Sequence, residues 1–312
     1  MARVFRVEGL VKRYGDLRAV DGVSFEVRKG ELYGLLGPNG AGKTTIMSIL
    51  SGLLEPDEGR VFFDGVELAS DPIRVKAQLG VVPQETALYD TLSARENLRF
   101  WAGLYGLAGA DLDRAVERVL EQVGLTGRAK DPVRTYSGGM KRRLNLALGL
   151  VHGPRAVLMD EPTVGIDPQA RANILEAVRA VAAAGTTVVY TTHYLEEAET
   201  LCDRVAIIDH GRILAEGTVD ELKRRVGEKE ILTVSGSFEV EEARARLAAL
   251  PGVQVVAAAP GKIVLSVAGQ GKAALDALAG VLASGLDLDG VAIQPPSLNS
   301  VFLDLTGREL RD

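Results

Sequence analysis

The sequence predicts an α/β protein. Its mixed sheet core surrounds a phosphate-binding loop (P-loop), with an antiparallel β subdomain, a helical insert and a small α+β C-terminal domain. Three observations carry this. Gly37-Pro38-Asn39-Gly40-Ala41-Gly42-Lys43-Thr44, followed by Thr45, lies between the apolar run Glu31–Leu36 and a helical start at Ile46–Leu50. That is a strand–GxxxxGK[ST]–helix arrangement. Helical periodicity replaces strand patterns from about residue 85 to residue 152, and a strand pattern resumes at Ala156. From residue 230 to 293 the order is β-α-β-β-α-β, that of a ferredoxin-like unit.

Along the chain, residues 3–12 and 20–28 alternate apolar and polar side chains and read as antiparallel strands joined near Gly15-Asp16. Tyr14 sits in that connection. Alone it reads as a packing residue, or as a flat ring able to stack on an adenine face. In the loop that follows, glycines at 37, 40 and 42 let backbone N–H groups turn inward around phosphate oxygens, and the next helix adds its positive end. Lys43 then reaches the β- and γ-phosphates, and the Thr44 hydroxyl is a ligand for Mg²⁺.

Gly59–Gly65 and Leu79–Pro83 read as short strands, the second stopped by its proline. Gln84 follows directly, either a surface residue or a side-chain oxygen for Mg²⁺ or water. Helical spacing over Leu92–Tyr105 and Asp111–Val123, the latter ended by Gly124, begins the insert. Its third helix starts at Ser137-Gly138-Gly139. The serine is a good N-cap and the glycines expose backbone donors, so this is an anion site or an ordinary capped helix. The run Lys141-Arg142-Arg143 reads as a solvated face, with a partner contact as the alternative.

Ala156-Val157-Leu158-Met159 ends in Asp160 and Glu161. Carboxylates at the end of a buried strand are unfavourable unless they have a task. That sheet edge is where open α/β folds bind ligands. Asp160 suits Mg²⁺, and Glu161 suits orienting, or taking a proton from, the water that attacks a γ-phosphate. Asp167 caps a helix with Pro168 at its first position, which capping alone explains. Thr186–Thr192 is a β-branched strand that ends at His193, on the phosphate side of the sheet. Val205–Ile208 and Arg212–Ala215 suggest a hairpin, Glu221–Val226 a short helix, and Gly227-Glu228-Lys229 a linker.

At 312 residues the chain should hold two domains, 1–226 and 227–312. The net charge of −6 offers no general attraction to nucleic acid. The single cysteine, Cys202, cannot form an intramolecular disulfide; it reads as core on a helical face and fits a reducing compartment. Met1–Arg6 lacks the apolar core of a signal peptide, and the apolar stretch Ala273–Leu286 is short and broken by Asp276. A cytoplasmic chain is expected, with any membrane role exercised through a partner.

Together these motifs resemble, over residues 1–225, the ATP-binding cassette of ABC transporters. Tyr14 is similar to that family's adenine-stacking aromatic, Gly37 to Thr45 to its P-loop, and Gln84 to its glutamine loop. Ser137-Gly138-Gly139 resembles the signature loop. Asp160 and Glu161 resemble the Mg²⁺-site aspartate and catalytic glutamate, Asp167 the dimer-contact aspartate, and His193 the switch histidine. Tyr136 and Met140 depart from the common signature and resemble a branch of bacterial exporters of drugs, antibiotics, sodium ions or polysaccharides.

The resemblance implies an ABC ATPase cassette using ATP and Mg²⁺. It also implies a head-to-tail homodimer in which Ser137 and Gly139 meet the γ-phosphate held by the other copy. A separate permease would place the chain on the inner face of the cell membrane. The alternative is a soluble ABC ATPase acting on ribosomes or DNA. The C-terminal domain offers no acid pair or glycine cradle and is expected to serve dimer contact or regulation. Its tail, from Pro295-Pro296 to Leu310, reads as a serine-capped helix ended by Gly307. The apolar face of Leu298, Val301, Phe302 and Leu305 would pack within the chain, on the other copy or on the permease.

Overall fold

Strands β1 (Arg3–Tyr14) and β2 (Leu17–Arg28) form the antiparallel pair that the alternation predicts, turning at residues 15–16. The computed structural model describes residues 2–225, 230–267, 272–294 and 297–307. The chain divides into two compact units, Met1–Leu214 and Ala215–Asp312. This division precedes the linker expected at 227–229, which lies outside the described residues, as do Pro295, Pro296 and residues 308–312.

In the first unit, β3 (Leu32–Leu36) is buried at all five positions and leads into helix α1 (Lys43–Leu50). β4 (Glu58–Phe63), β5 (Val66–Glu67), α2 (Pro72–Lys76) and β6 (Leu79–Val82) follow. One sheet has the order β2-β1-β4-β5. The insert then supplies α3 (Ala94–Leu104), α4 (Gly109–Gln122) and α5 (Gly138–Leu150), which pack on one another. Ser93 and Glu96 start α3 with a reciprocal capping box, and Ser137 Oγ caps α5 by accepting from the Met140 N–H.

The chain returns to the sheet through β7 (Ala156–Asp160), α6 (Pro168–Ala183), β8 (Thr187–Thr192), α7 (Leu195–Leu201), β9 (Arg204–Asp209) and β10 (Arg212–Gly217). The six-stranded order is β10-β9-β3-β8-β7-β6, and the five strands from β9 to β6 run parallel. Their C-terminal ends therefore share one edge. On that edge lie the glycine loop after β3, Asp160 at the end of β7 and His193 after β8. Helix α1 is wedged between the two sheets: Ile46, Ile49 and Leu50 share one core with Phe5, Leu10, Phe63, Leu35 and Leu158. Burying each such side chain is worth about 1.5–3 kcal/mol, so the helix that carries Lys43 is held firmly. Cys202 is buried as expected, but it ends α7 rather than lying on its face, and its Sγ fills the space beside Gly34.

The second unit contains α8 (Val219–Arg225), β11 (Glu230–Gly236), α9 (Val240–Ala248), β12 (Val253–Ala259), β13 (Lys262–Val267), α10 (Lys272–Leu282), β14 (Leu288–Gln294) and α11 (Leu298–Thr306). Its antiparallel sheet has the order β12-β13-β11-β14, so each helical crossover skips one strand. This is the ferredoxin-like split βαβ arrangement. Alternation explains the layers. Leu232 and Val234 on β11 face α9 and α10 in one core, while Ile231 joins Val264 and Leu303 of α11 in another. The tail helix thus packs within the chain. Leu298, Val301 and Phe302 are buried as expected, but Leu303 takes the inward place assigned to Leu305, which stays 42% exposed. No helix among the described residues is long and apolar enough to cross a membrane.

Candidate functional site

The glycine loop has the shape its composition demands. Gly42 has φ +102°, and a Cβ there would lie 2.3 Å from the Ala19 carbonyl oxygen; at Gly37 a Cβ would lie 2.2 Å from that of Ile208. Both positions exclude any side chain. No side chain caps α1, so the N–H groups of its first turn remain available as anion donors. Lys43 Nζ folds back over the loop and donates to the carbonyls of Gly37 (2.7 Å) and Pro38 (3.0 Å). The Ala41 N–H also donates to Pro38, which tightens the turn.

Across the loop stand the two carboxylates that end β7. Glu161 has φ +42°, the left-handed region that a non-glycine residue rarely occupies. Its N–H donates to Thr191 Oγ1 (2.9 Å), which holds the turn. The Glu161 side chain lies between Lys43 Nζ, 3.0 Å from Oε1, and His193 Nδ1, 3.2 Å from Oε2. All three groups are buried. Asp160 Oδ1 accepts from Thr191 Oγ1 (2.6 Å), and the Thr44 side chain lies near enough to Asp160 to favour its ionised form. Burial raises the Asp160 pKa, against the lowering effect of those hydroxyls.

One cleft of about 470 Å³ is lined by Tyr14, Asn39, Gly40, Gly42, Lys43, Thr44, Thr45, Gln84, Glu161 and His193. Gly37, Pro38 and Ala41 form the loop behind it. Ser137, Gly138, Gly139 and Asp167 do not line it. Ser137 caps α5, Gly139 packs against Ala170 of α6 so closely that a Cβ would lie 2.6 Å from that of Ala170, and Asp167 Oδ1 accepts from the Ala170 N–H (2.9 Å). Leu17, Ala19 and Val164 also line the cleft and escaped the sequence reading. Val164 is adjacent to the carboxylate motif, which was a usable signal; Leu17 and Ala19 arrive only because β2 crosses the loop.

The basic run is not a solvated face. Lys141 pairs with Asp90 (2.8 Å), and Arg143 donates to the Val123 carbonyl, 3.2 Å away, at the end of α4. Arg142 donates to the carbonyls of Gln84 and Val164, and burial lowers its pKa. Helix α5 carries the two arginines to backbone carbonyls of neighbouring segments and Lys141 to a carboxylate, which spacing alone did not reveal.

Among the described residues no group of three or more His, Cys, Asp or Glu side chains could cage a metal. The donors that do meet, the Thr44 hydroxyl and the Asp160 carboxylate, are hard oxygens. They fit Mg²⁺, which takes few protein ligands and completes its shell with phosphate and water.

Sheet order, glycine cradle and buried carboxylates define a P-loop nucleoside triphosphatase. Residues 20–164 match the family model for ABC transporters, and residues 217–306 match that of the ATP-binding protein DrrA1-3-like C-terminal domain. The chain is 46% identical over 311 residues to the linearmycin resistance ATP-binding protein LnrL of Bacillus subtilis, covering 99% of this chain and 100% of that one. It is 40% identical to Nod factor export ATP-binding protein I of Ralstonia nicotianae, with 99% and 95% covered. A solved ATP-binding subunit of an ABC transporter superposes with a TM-score of 0.65 at 33% identity, over 72% of this chain and 93% of that one. The chain belongs to the ABC transporter family, as an ATP-hydrolysing cassette subunit.

Proposed function

We propose that this chain powers export by binding ATP between two head-to-tail copies and hydrolysing it against a separate membrane permease. The observation that carries this reading is a half-built site. Lys43, Thr44, Gln84, Glu161 and His193 share one cleft, whereas Ser137, Gly138 and Gly139 sit at another helix start outside it. A second copy would bring those donors to the γ-phosphate, with Asp167 at the contact.

Tyr14 stacks on the adenine, and the backbone of Gly37 to Thr45 cradles the phosphates. Lys43 gives up its carbonyl partners to meet them. Thr44 and Asp160 hold Mg²⁺ with Gln84 nearby; when bound, the ion neutralises phosphate charge. Glu161 orients the attacking water and accepts its proton, while His193 fixes the Glu161 carboxylate from the far side.

The permease contact lies on the insert. An apolar groove beside Gln84 is lined in part by Leu53, Val81, Pro83, Ala87, Trp101 and Tyr105. A permease segment seated there would sense the position of Gln84, and through it the nucleotide, from the inner face of the membrane. Relatives named for linearmycin resistance and Nod factor export support outward movement of a substrate. The second unit adds dimer contact or regulation.

The test is the ATPase rate per chain as a function of protein concentration. The rate should fall toward zero as the dimer dissociates, because half of the charge stabilisation is then missing. A constant rate in monomeric samples would refute the shared site.

A further inference from the structure

Behind the cleft, beyond Asp160 and Glu161, lies a further buried carboxylate that the reaction itself does not use. Glu197 of α7 is 1% exposed, and four donors from three other segments meet it. Thr163 Oγ1 (2.7 Å) and Arg171 Nε (2.7 Å) donate to Oε1; the Tyr190 hydroxyl (2.9 Å) and Thr192 Oγ1 (2.7 Å) donate to Oε2. A carboxylate offers about four acceptor positions, and here all are taken. Burial first, then the Glu197 charge, push the Tyr190 pKa well up, which keeps that hydroxyl a donor. A saturated carboxylate has no lone pair left for a catalytic proton. Its Arg171 partner offsets the cost of burying the charge.

The donors are placed where the chemistry needs rigidity. Thr163 lies two residues after Glu161. Thr192 directly precedes His193, and its Oγ1 also accepts from the Tyr194 N–H (2.9 Å). The Arg171 guanidinium lies 4.0 Å from the centre of the Tyr194 ring, and that ring packs 4.1 Å from the His193 ring. Glu197 therefore grips the chain on both sides of His193 and just beyond Glu161, the two residues that meet at 3.2 Å.

We infer that Glu197 is a positioning residue for ATP hydrolysis, holding the His193 turn and the Thr163 turn in one register so that Glu161 and His193 meet. The inference rests on the catalytic reading of Glu161 and His193 given above. It predicts an effect on turnover and not on nucleotide binding, because none of the four donors lines the nucleotide cleft.

The test uses the full chain. Thr163→Val keeps the side-chain volume and removes one donor; Arg171→Gln removes the guanidinium that reaches Tyr194. Each should lower kcat about tenfold while KM for ATP stays within about twofold; Thr163→Val should melt within a few degrees of wild type, and Arg171→Gln lower, because Glu197 then loses its cation. The double variant should lose less than the product of the two single losses, since both act through one carboxylate. Thr163→Ser, which keeps the hydroxyl, should retain most of the rate.

Turnover within about twofold of wild type in both folded variants would overturn the inference, as would a matching loss of ATP affinity. Glu161→Gln is run alongside. Undiminished hydrolysis there counts against the catalytic reading itself. Its loss, with normal turnover in the Thr163 and Arg171 variants, counts against Glu197 alone.

Discussion

Lys43 Nζ lies 3.0 Å from Glu161 Oε1, inside a cleft where both side chains are more than nine-tenths buried. On the function proposed above, a cation that would meet phosphates is thus already paired with the carboxylate that would face water. On that proposal ATP would displace Glu161 from Lys43, and the exchange would free the carboxylate.

The first prediction follows from this exchange. Glu161→Gln removes the competing anion and its repulsion of the γ-phosphate while keeping the side-chain shape. ATP affinity should hold or rise, and hydrolysis should fall by about 10² to 10³, as for loss of a charge-positioning group. Lys43→Ala should instead weaken ATP binding itself. Nucleotide titration and single-turnover hydrolysis separate the two outcomes.

Asp160 is strained in the opposite sense. Burial raises its pKa, so in the folded chain the ionised form is disfavoured. The sign is that of a raised carboxylate: stability falls as pH rises from the unfolded pKa through the folded one. Asp160→Asn should therefore raise the melting temperature of the nucleotide-free chain while abolishing Mg²⁺-dependent hydrolysis. Thermal melting without nucleotide and an ATPase assay are the two measurements.

His152 reports on the insert. Its ring stacks on Tyr105 at 3.6 Å, Nε2 lies 3.1 Å from the Leu79 carbonyl oxygen, and Nδ1 has no hydrogen-bond partner. Burial lowers its pKa to about 4. The unfolded chain then binds the extra proton between about pH 6.5 and 4, so stability is full above that window and is lost as pH falls through it. Melts of wild type and His152→Phe across pH 4 to 7 should show a shallower acid loss in the variant.

Arg142 joins the Gln84 loop to the turn after Glu161 through two backbone carbonyls. Arg142→Met keeps the stem and leaves both acceptors without this donor, at a cost of about 1–3 kcal/mol. Amide hydrogen exchange should rise at residues 84–87 and 163–166 and stay unchanged in β11 and β13, far along the chain. Equal protection in wild type and variant would argue against that link.

What the sequence determines by itself is local. The P-loop was legible because glycine spacing within eight residues dictates a backbone turn. The caps at Ser137 and Asp167 were legible because a cap acts three residues away, and the strands of the second unit because alternation shows which side of a sheet is buried. The tertiary structure decides the meetings. Lys43 reaches Glu161 because α1 packs against β7 even though β8 lies between β3 and β7, and Arg142 finds carbonyls that are 58 and 22 residues away in the chain. Glu197 gathers donors from before β8, within β8 and along α6. Such contacts depend on sheet order and helix packing, and neither leaves a periodic trace in the residues that finally touch.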